Sequence, residues 1–409
     1  MKFAKSRFFP AIVCFCLTLL FCGLIAPVWG KTPPHLVAKS PSSLGEAIAA
    51  MEEDWTREYE QYFSREFLDE PMPVAEMSRA IAKLSQASGQ RIAVIWIKTK
   101  ADRLQLALLT PDAQPIKRTT TGVSEQQLQQ TLQSLHNNLV AVTRRHRTTY
   151  LEEAQQLYQW IIAPLEATLQ LQQIDTLIFC AGPGFRLLPY GVLHDGEQFL
   201  VEHYNLATIP AFNLTSLQYN PLENAQVLAM GASEFSDLEP LPGVSAEVQT
   251  IVPNLWQGES FLNEAFTLEQ LQQQRQQYPF EIIHLATHAV FNAGTPDQSY
   301  IQLSDRKLRL NEVDQLDLNQ PPVELLVLSA CETAIGSQQA ELGFAGLALQ
   351  AGVKSAIASL WRVSDVGSLA LMSEFYQNLR NTSTKAAALR EAQLAMIRGD
   401  IHVEGDTLY

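Results

Sequence analysis

The chain of 409 residues is poor in cysteine and in positive charge. Of its five cysteines, Cys14, Cys16 and Cys22 crowd near the start, so Cys180 and Cys331 alone serve the remainder. Two thiols exclude a disulfide scaffold. A single Cys180–Cys331 bridge would silence the chemistry described below. Lysine and arginine number 29 against 43 aspartates and glutamates, a net charge of -14. That balance excludes nucleic acid as a partner, which needs a basic footprint, and offers no attraction to an anionic membrane. No internal repeat is visible. No Gly-x-Ser-x-Gly turn occurs, which ranks a non-proteolytic hydrolase of the α/β class last.

What is there describes a globular protein. Hydrophobic residues make up 46% and charged residues 18%, too apolar for a disordered chain. The length allows one large or two modest domains with a real core. The first residues differ in kind. Lys2, Lys5 and Arg7 precede an apolar run from residue 11 to 26, followed by Pro27-Val-Trp-Gly30. A basic head, an apolar middle and small residues at the end read as a secretory signal peptide over residues 1–30, and so as export. The alternative is an uncleaved anchor, the one way this chain would meet a membrane.

Residues 31–89 read as a linker with some helix, at 75–85. Arg91-Ile-Ala-Val-Ile-Trp-Ile97 and Leu104-Gln-Leu-Ala-Leu-Leu109 read as paired strands. Ser124 with Gln127 looks like a capping box, and Leu128, Leu132, Leu135 and Leu139 then share one helical face. A second helix covers 150–170, bent at Pro164. Asp175-Thr-Leu-Ile-Phe-Cys-Ala181 reads as a buried strand broken by Gly182-Pro-Gly184. After Asn220, all-apolar runs at 227–230, 282–286, 325–328 and 355–360 alternate with helical patterns at 245–255, 268–277, 342–350, 365–379 and 385–397. Apolar strands separated by helices mean a mainly parallel sheet covered on both faces. The texture divides the chain into units at 90–220 and 225–409.

In an open parallel sheet, ligands bind beyond the carboxyl ends of the strands. Two reactive side chains follow such ends. His288 closes His284-Leu-Ala-Thr-His288, and Cys331 lies in Leu328-Ser-Ala-Cys-Glu-Thr-Ala334. If their strands are neighbours, an imidazole can lower the thiol pKa and shuttle its proton. Their separation along the chain is 331 − 288 = 43 residues, near the roughly 50 typical of caspases. No metal or cofactor is implied. His284 and His288 are four apart, but the segment reads as a strand and lacks the glutamate of the zinc-protease motif. Strand alternation would give both histidines one face. An exit from the strand near Ala286 would release His288 from that parity, and His284 then suits a core or supporting role.

These residues resemble a known family. His284-Leu-Ala-Thr-His288-Ala, Leu328-Ser-Ala-Cys-Glu-Thr-Ala334-Ile-Gly336, Gly343-Phe-Ala-Gly-Leu-Ala-Leu-Gln-Ala-Gly352 and Ser359-Leu-Trp-Arg-Val-Ser-Asp365 are similar to the CHAT domain. So are Leu187-Leu-Pro-Tyr-Gly-Val-Leu-His-Asp-Gly196 and Leu241-Pro-Gly243. That family shares a protease clan with caspases and separases. The resemblance implies a caspase-like α/β fold in two tandem halves, a pseudo-protease unit and then an active unit. It implies a cysteine endopeptidase acting on a protein or peptide substrate, with His288 and Cys331 as the dyad. Backbone N–H groups of Ala289 and Cys331 would form the oxyanion hole. Asp365 would line the pocket for a basic P1 side chain, its plainer role being to cap the helix behind it, with Ser364. Cys180 is given a structural role. The family implies a further aromatic segment beyond Tyr409, so the chain reads as a shortened form, and an inactive scaffold or interaction module is the alternative function.

Overall fold

The chain is described by a computed structural model covering residues 43–401, apart from 68–70, 112, 141–148, 334–336 and 362, together with 403–404 and 407–408. The expected signal peptide, residues 1–30 with three of the cysteines, lies outside the described residues, as do the side chains of Cys331 and Asp365.

Ser43 and Glu46 form a reciprocal capping box that starts α1 (Leu44–Phe63). Its face of Ile48, Met51, Trp55 and Tyr59 is buried. Helix α2 (Val74–Ser88) ends at Gly89, whose φ of 68° suits a residue without a Cβ. Residues 31–89, expected as a linker with a helix at 75–85, thus hold two helices where they are described. Both pack on the first sheet through Ile48, Trp55, Met77 and Ile81.

That sheet runs β3-β2-β1-β4-β5, from β1 (Ile92–Lys100), β2 (Arg103–Leu109), β3 (Ile116–Thr121), β4 (Thr176–Ala181) and β5 (Asn205–Ile209). β1, β4 and β5 are parallel, while β2 and β3 add antiparallel hairpins. The leucine face read at Leu128 and Leu135 lies in α3 (Glu125–Val140), and Ser124 Oγ accepts the Gln127 N–H at 3.1 Å. The expected bend at Pro164 is a break between α4 (Leu151–Ile161) and α5 (Ala163–Leu171).

The second sheet is built on β6 (Val227–Gly231), β7 (Gly258–Leu262), β8 (Ile282–Phe291), β11 (Leu325–Thr333) and β12 (Ala356–Ala358), all parallel. A short hairpin, β9 (Tyr300–Gln302) and β10 (Lys307–Arg309), joins the far part of β8. Helix α8 (Leu268–Gln277) packs on one face. On the other lie α7 (Val244–Gln249), α11 (Asp365–Leu379) and α12 (Lys385–Arg398). This is the expected α/β architecture, a mainly parallel sheet flanked by helices. Trp256, Tyr376 and Phe375 are all under 2% exposed in this core. Each such aromatic contributes about 1.5–3 kcal/mol by leaving water.

Three sequence expectations shift. The helix read at 245–255 ends at Gln249, because Val252 before Pro253 takes extended backbone angles. The helix read at 342–350 divides at Gly346 into α9 (Gln338–Ala345) and α10 (Leu347–Ala351). Strands β8 and β11 run to Phe291 and Thr333, well past the ends read at 286 and 328. The β9 hairpin supplies ladder partners to Ala289 and Val290, which holds β8 extended beyond its purely apolar stretch. Among the described residues no helix is long and apolar enough to cross a membrane.

Candidate active site

β8 and β11 are adjacent and parallel, with Leu325 opposite Ile282 and Leu328 opposite Leu285. The register then shifts, and Ala330 lies opposite His288 while Cys331 lies opposite Ala289. Ser329 therefore faces two residues of β8, Ala286 and Thr287, a bulge at the level of the site. Thr287 is buried and its Oγ1 donates to the Gln302 carbonyl at 2.6 Å. With strands about 4.8 Å apart and a rise of about 3.3 Å per residue, the backbones of His288 and Cys331 come within about 6 Å.

Both residues sit inside paired strands, not after them. The cause is again the extension of β8 along β9, with β11 following to Thr333. His284 faces α7 and α11; the expected exit from the strand near Ala286 does not occur, since β8 runs on to Phe291, but the bulge at Ala286 and Thr287 interrupts strict alternation between the two histidines. His284 is fully buried. The Tyr376 hydroxyl lies 3.2 Å from its Nδ1, and the Glu247 carboxylate 3.0 Å from its Nε2. The second approach is close but outside hydrogen-bonding geometry. This is the supporting role read for His284. Burial, then the Glu247 charge, holds the Tyr376 phenol well above its ordinary pKa, so it stays neutral and can donate.

His288 is half-buried. Its Nε2 lies 2.8 Å from the Glu239 carbonyl, in the loop between β6 and α7. Its ring packs edge-on against Phe235, with centroids 4.8 Å apart. A carbonyl can only accept, so Nε2 carries a proton at this contact. The loop is itself anchored, since the Leu241 N–H donates to the Ser233 carbonyl at 2.9 Å and the Ser233 N–H donates to Asn263 Oδ1 at 3.0 Å. Sequence reasoning quoted Leu241-Pro-Gly243 but missed Glu239 and Phe235. A main-chain acceptor leaves no side-chain signature to find.

Ala289 lies between β11 and β9, and Cys331 pairs with it on one side. β12 pairs with β11 only at 326–328. Past Leu328, the outer edge of β11 has no strand partner among the described residues. Asp365 is the first residue of α11. The N-cap is Ser364, whose Oγ accepts the Gly367 N–H at a long 3.5 Å. No cluster of three or more potential metal ligands occurs among the described residues.

Cys180 is a free, fully buried thiol in β4, which rules out its bridge to Cys331. It donates to Glu52 Oε1 at 3.4 Å. The same carboxylate accepts Trp96 Nε1–H at 2.6 Å, the Phe212 N–H at 3.1 Å and the Asn213 N–H at 3.0 Å. Burial, then the Glu52 charge, pushes the Cys180 thiol well above its ordinary pKa. A cavity of about 620 Å³ opens elsewhere, between α3, the turn after β4, the start of α9 and Trp361, and His288 does not line it.

A family model described as the CHAT domain matches residues 151–406, more than half of the chain. No curated protein matches the chain.

Proposed function

From the premise that this chain belongs to the CHAT family, related to cysteine peptidases, we propose that it is a cysteine endopeptidase using Cys331 and His288. One observation carries the reading: the β8–β11 register sets the two positions on adjacent strands while the Glu239 carbonyl accepts from His288 Nε2. In the reaction, the Cys331 thiol gives its proton to His288 Nδ1, and the thiolate attacks the scissile carbonyl carbon. The tetrahedral intermediate collapses as His288 protonates the departing amine. Water then hydrolyses the thioester, with His288 as base.

The open edge of β11 past Leu328 offers main-chain groups to an extended substrate, the usual way a strand edge binds a peptide. Backbone donors of Ala289 and Cys331 are proposed for the oxyanion. A basic P1 side chain is proposed to pair with Asp365. The N-terminus of α11 carries positive partial charge and would repel a cation, so that specificity needs the Asp365 carboxylate. Export of the mature chain is proposed on the leader.

Peptides differing only at P1 test this. Arginine or lysine peptides are expected to be cut, alanine peptides poorly, and Cys331→Ala is expected to lower the rate about a thousandfold or more. Cleavage unchanged in Cys331→Ala would remove the assignment. One feature favours a non-catalytic scaffold, the ladder that continues past both residues. A protein that folds yet cuts no peptide, with Cys331 no more reactive than a free thiol, would establish it.

A further inference from the structure

Helix α9 begins seven residues after Cys331 and touches both strands of the dyad. It follows β11 in sequence, and its Phe344 packs edge-on against Phe291 at the end of β8, with centroids 5.3 Å apart. The opposite side of α9 is held by other parts of the chain. Glu341, buried in its first turn, accepts the Gly184 N–H at 2.9 Å from the turn after β4 of the first sheet. Gly184 has a φ of 88°, which favours glycine there and aims its N–H at α9.

Beside that bond, Arg186 donates to Glu58 of α1 and lies over the Tyr59 ring at 5.1 Å. Further along, α1 meets α9 at two glycines. A Cβ at Gly343 would lie 3.0 Å from the Tyr62 hydroxyl, and one at Gly346 only 2.5 Å from Phe63. These glycines belong to the Gly343-Phe-Ala-Gly346 segment. Part of their use here is to let α1 come close.

Resting on the dyad reading above, we propose that Glu341 is a positioning residue. By accepting the Gly184 N–H it docks α9 on the first sheet, and α9 sets the relative placement of the strands that carry His288 and Cys331. The first sheet thereby acts as the rigid seat of the second. The acceptor oxygen matters more than the charge, since burial opposes the charge and a glutamine can still accept.

The test uses the full chain with Glu341→Ala and Glu341→Gln. Iodoacetamide labelling of Cys331 is followed across pH by mass spectrometry, beside kcat and KM for a cleaved peptide. Glu341→Ala is expected to slow Cys331 labelling and lower kcat by about tenfold to a hundredfold, the cost of a small misplacement. KM should stay near wild type, and Glu341→Gln should restore most of the loss. Equal rates in Glu341→Ala and wild type would overturn the proposal, as would equal damage in both variants. If wild-type Cys331 proves unreactive, the dyad reading fails separately. Amide exchange over Gln338–Ala345 then decides: faster exchange in Glu341→Ala supports the docking, and unchanged exchange overturns it.

Discussion

The two sheets each hold one of the two cysteines among residues 43–409, and they treat them in opposite ways. In the first sheet, Cys180 sits in β4 beneath α1, and its thiol donates to the buried carboxylate of Glu52. In the second, Cys331 lies on β11 next to the strand that carries His288, along an edge with no strand partner past Leu328. A neighbouring carboxylate and burial raise a thiol pKa, while a neighbouring imidazole lowers it. On the proposed reading, one type of scaffold buries one thiol as structure and presents another for chemistry. The choice is made by what covers the strand, not by the strand.

The largest effect expected from this contrast is in labelling. In the folded chain, iodoacetamide should modify Cys331 at least about a hundredfold faster than Cys180, because only the thiolate reacts. Comparable rates would erase the distinction. Next comes Glu52→Ala, which strips the acceptor from Trp96 Nε1, Phe212 N and Asn213 N. Leaving those buried donors unpaired should cost about 3–5 kcal/mol, read as a lowered denaturant midpoint, and should bring Cys180 within reach of the reagent. A variant as stable as wild type would mean that α1 is not what seals the first sheet.

The smallest effect is in pH dependence. Burial raises the pKa of Glu341 above its ordinary 4.5, against the opposing pull of the Gly184 N–H and Arg186, and nearby Glu58 adds to the rise. A carboxyl raised in the folded state gives stability that is full below the unfolded value and lost as pH rises through the folded one. The thermal midpoint of Glu341→Gln should therefore gain on wild type from mildly acidic to neutral pH. A Glu341→Gln midpoint that instead falls relative to wild type over that range would contradict the burial of this carboxyl.

Much of the second half was legible because Ile282-Ile-His-Leu-Ala286 and Leu325-Leu-Val-Leu328 are buried on both faces and read as unbroken apolar runs. Their true ends were not. The extension through Thr287, His288 and Val290 depends on pairing with β9, and Tyr300-Ile-Gln302 is too short and mixed to announce itself. Helix α1 did leave a signal, in Ser43 with Glu46 and in Ile48, Met51, Trp55 and Tyr59 at helical spacing. Its buried Glu52 left none, since a charged residue among apolar ones reads as the edge of a solvated face. The Glu239 carbonyl and the Gly184 N–H were invisible for a simpler reason. Every residue but proline has both groups, and only the folded chain decides which are used.

The extra residue in β8 works as a vernier. Before it, partners on the two strands differ by 325 − 282 = 43, the same number that separates His288 from Cys331. An unbroken ladder would have set those two positions level, about 4.8 Å apart across the sheet. Because Ala286 and Thr287 together oppose Ser329, the difference drops to 330 − 288 = 42, and Cys331 moves one step further along than its partner in the dyad. The stagger lengthens the backbone separation of the two positions to about 6 Å, so a single surplus residue in the ladder sets their spacing.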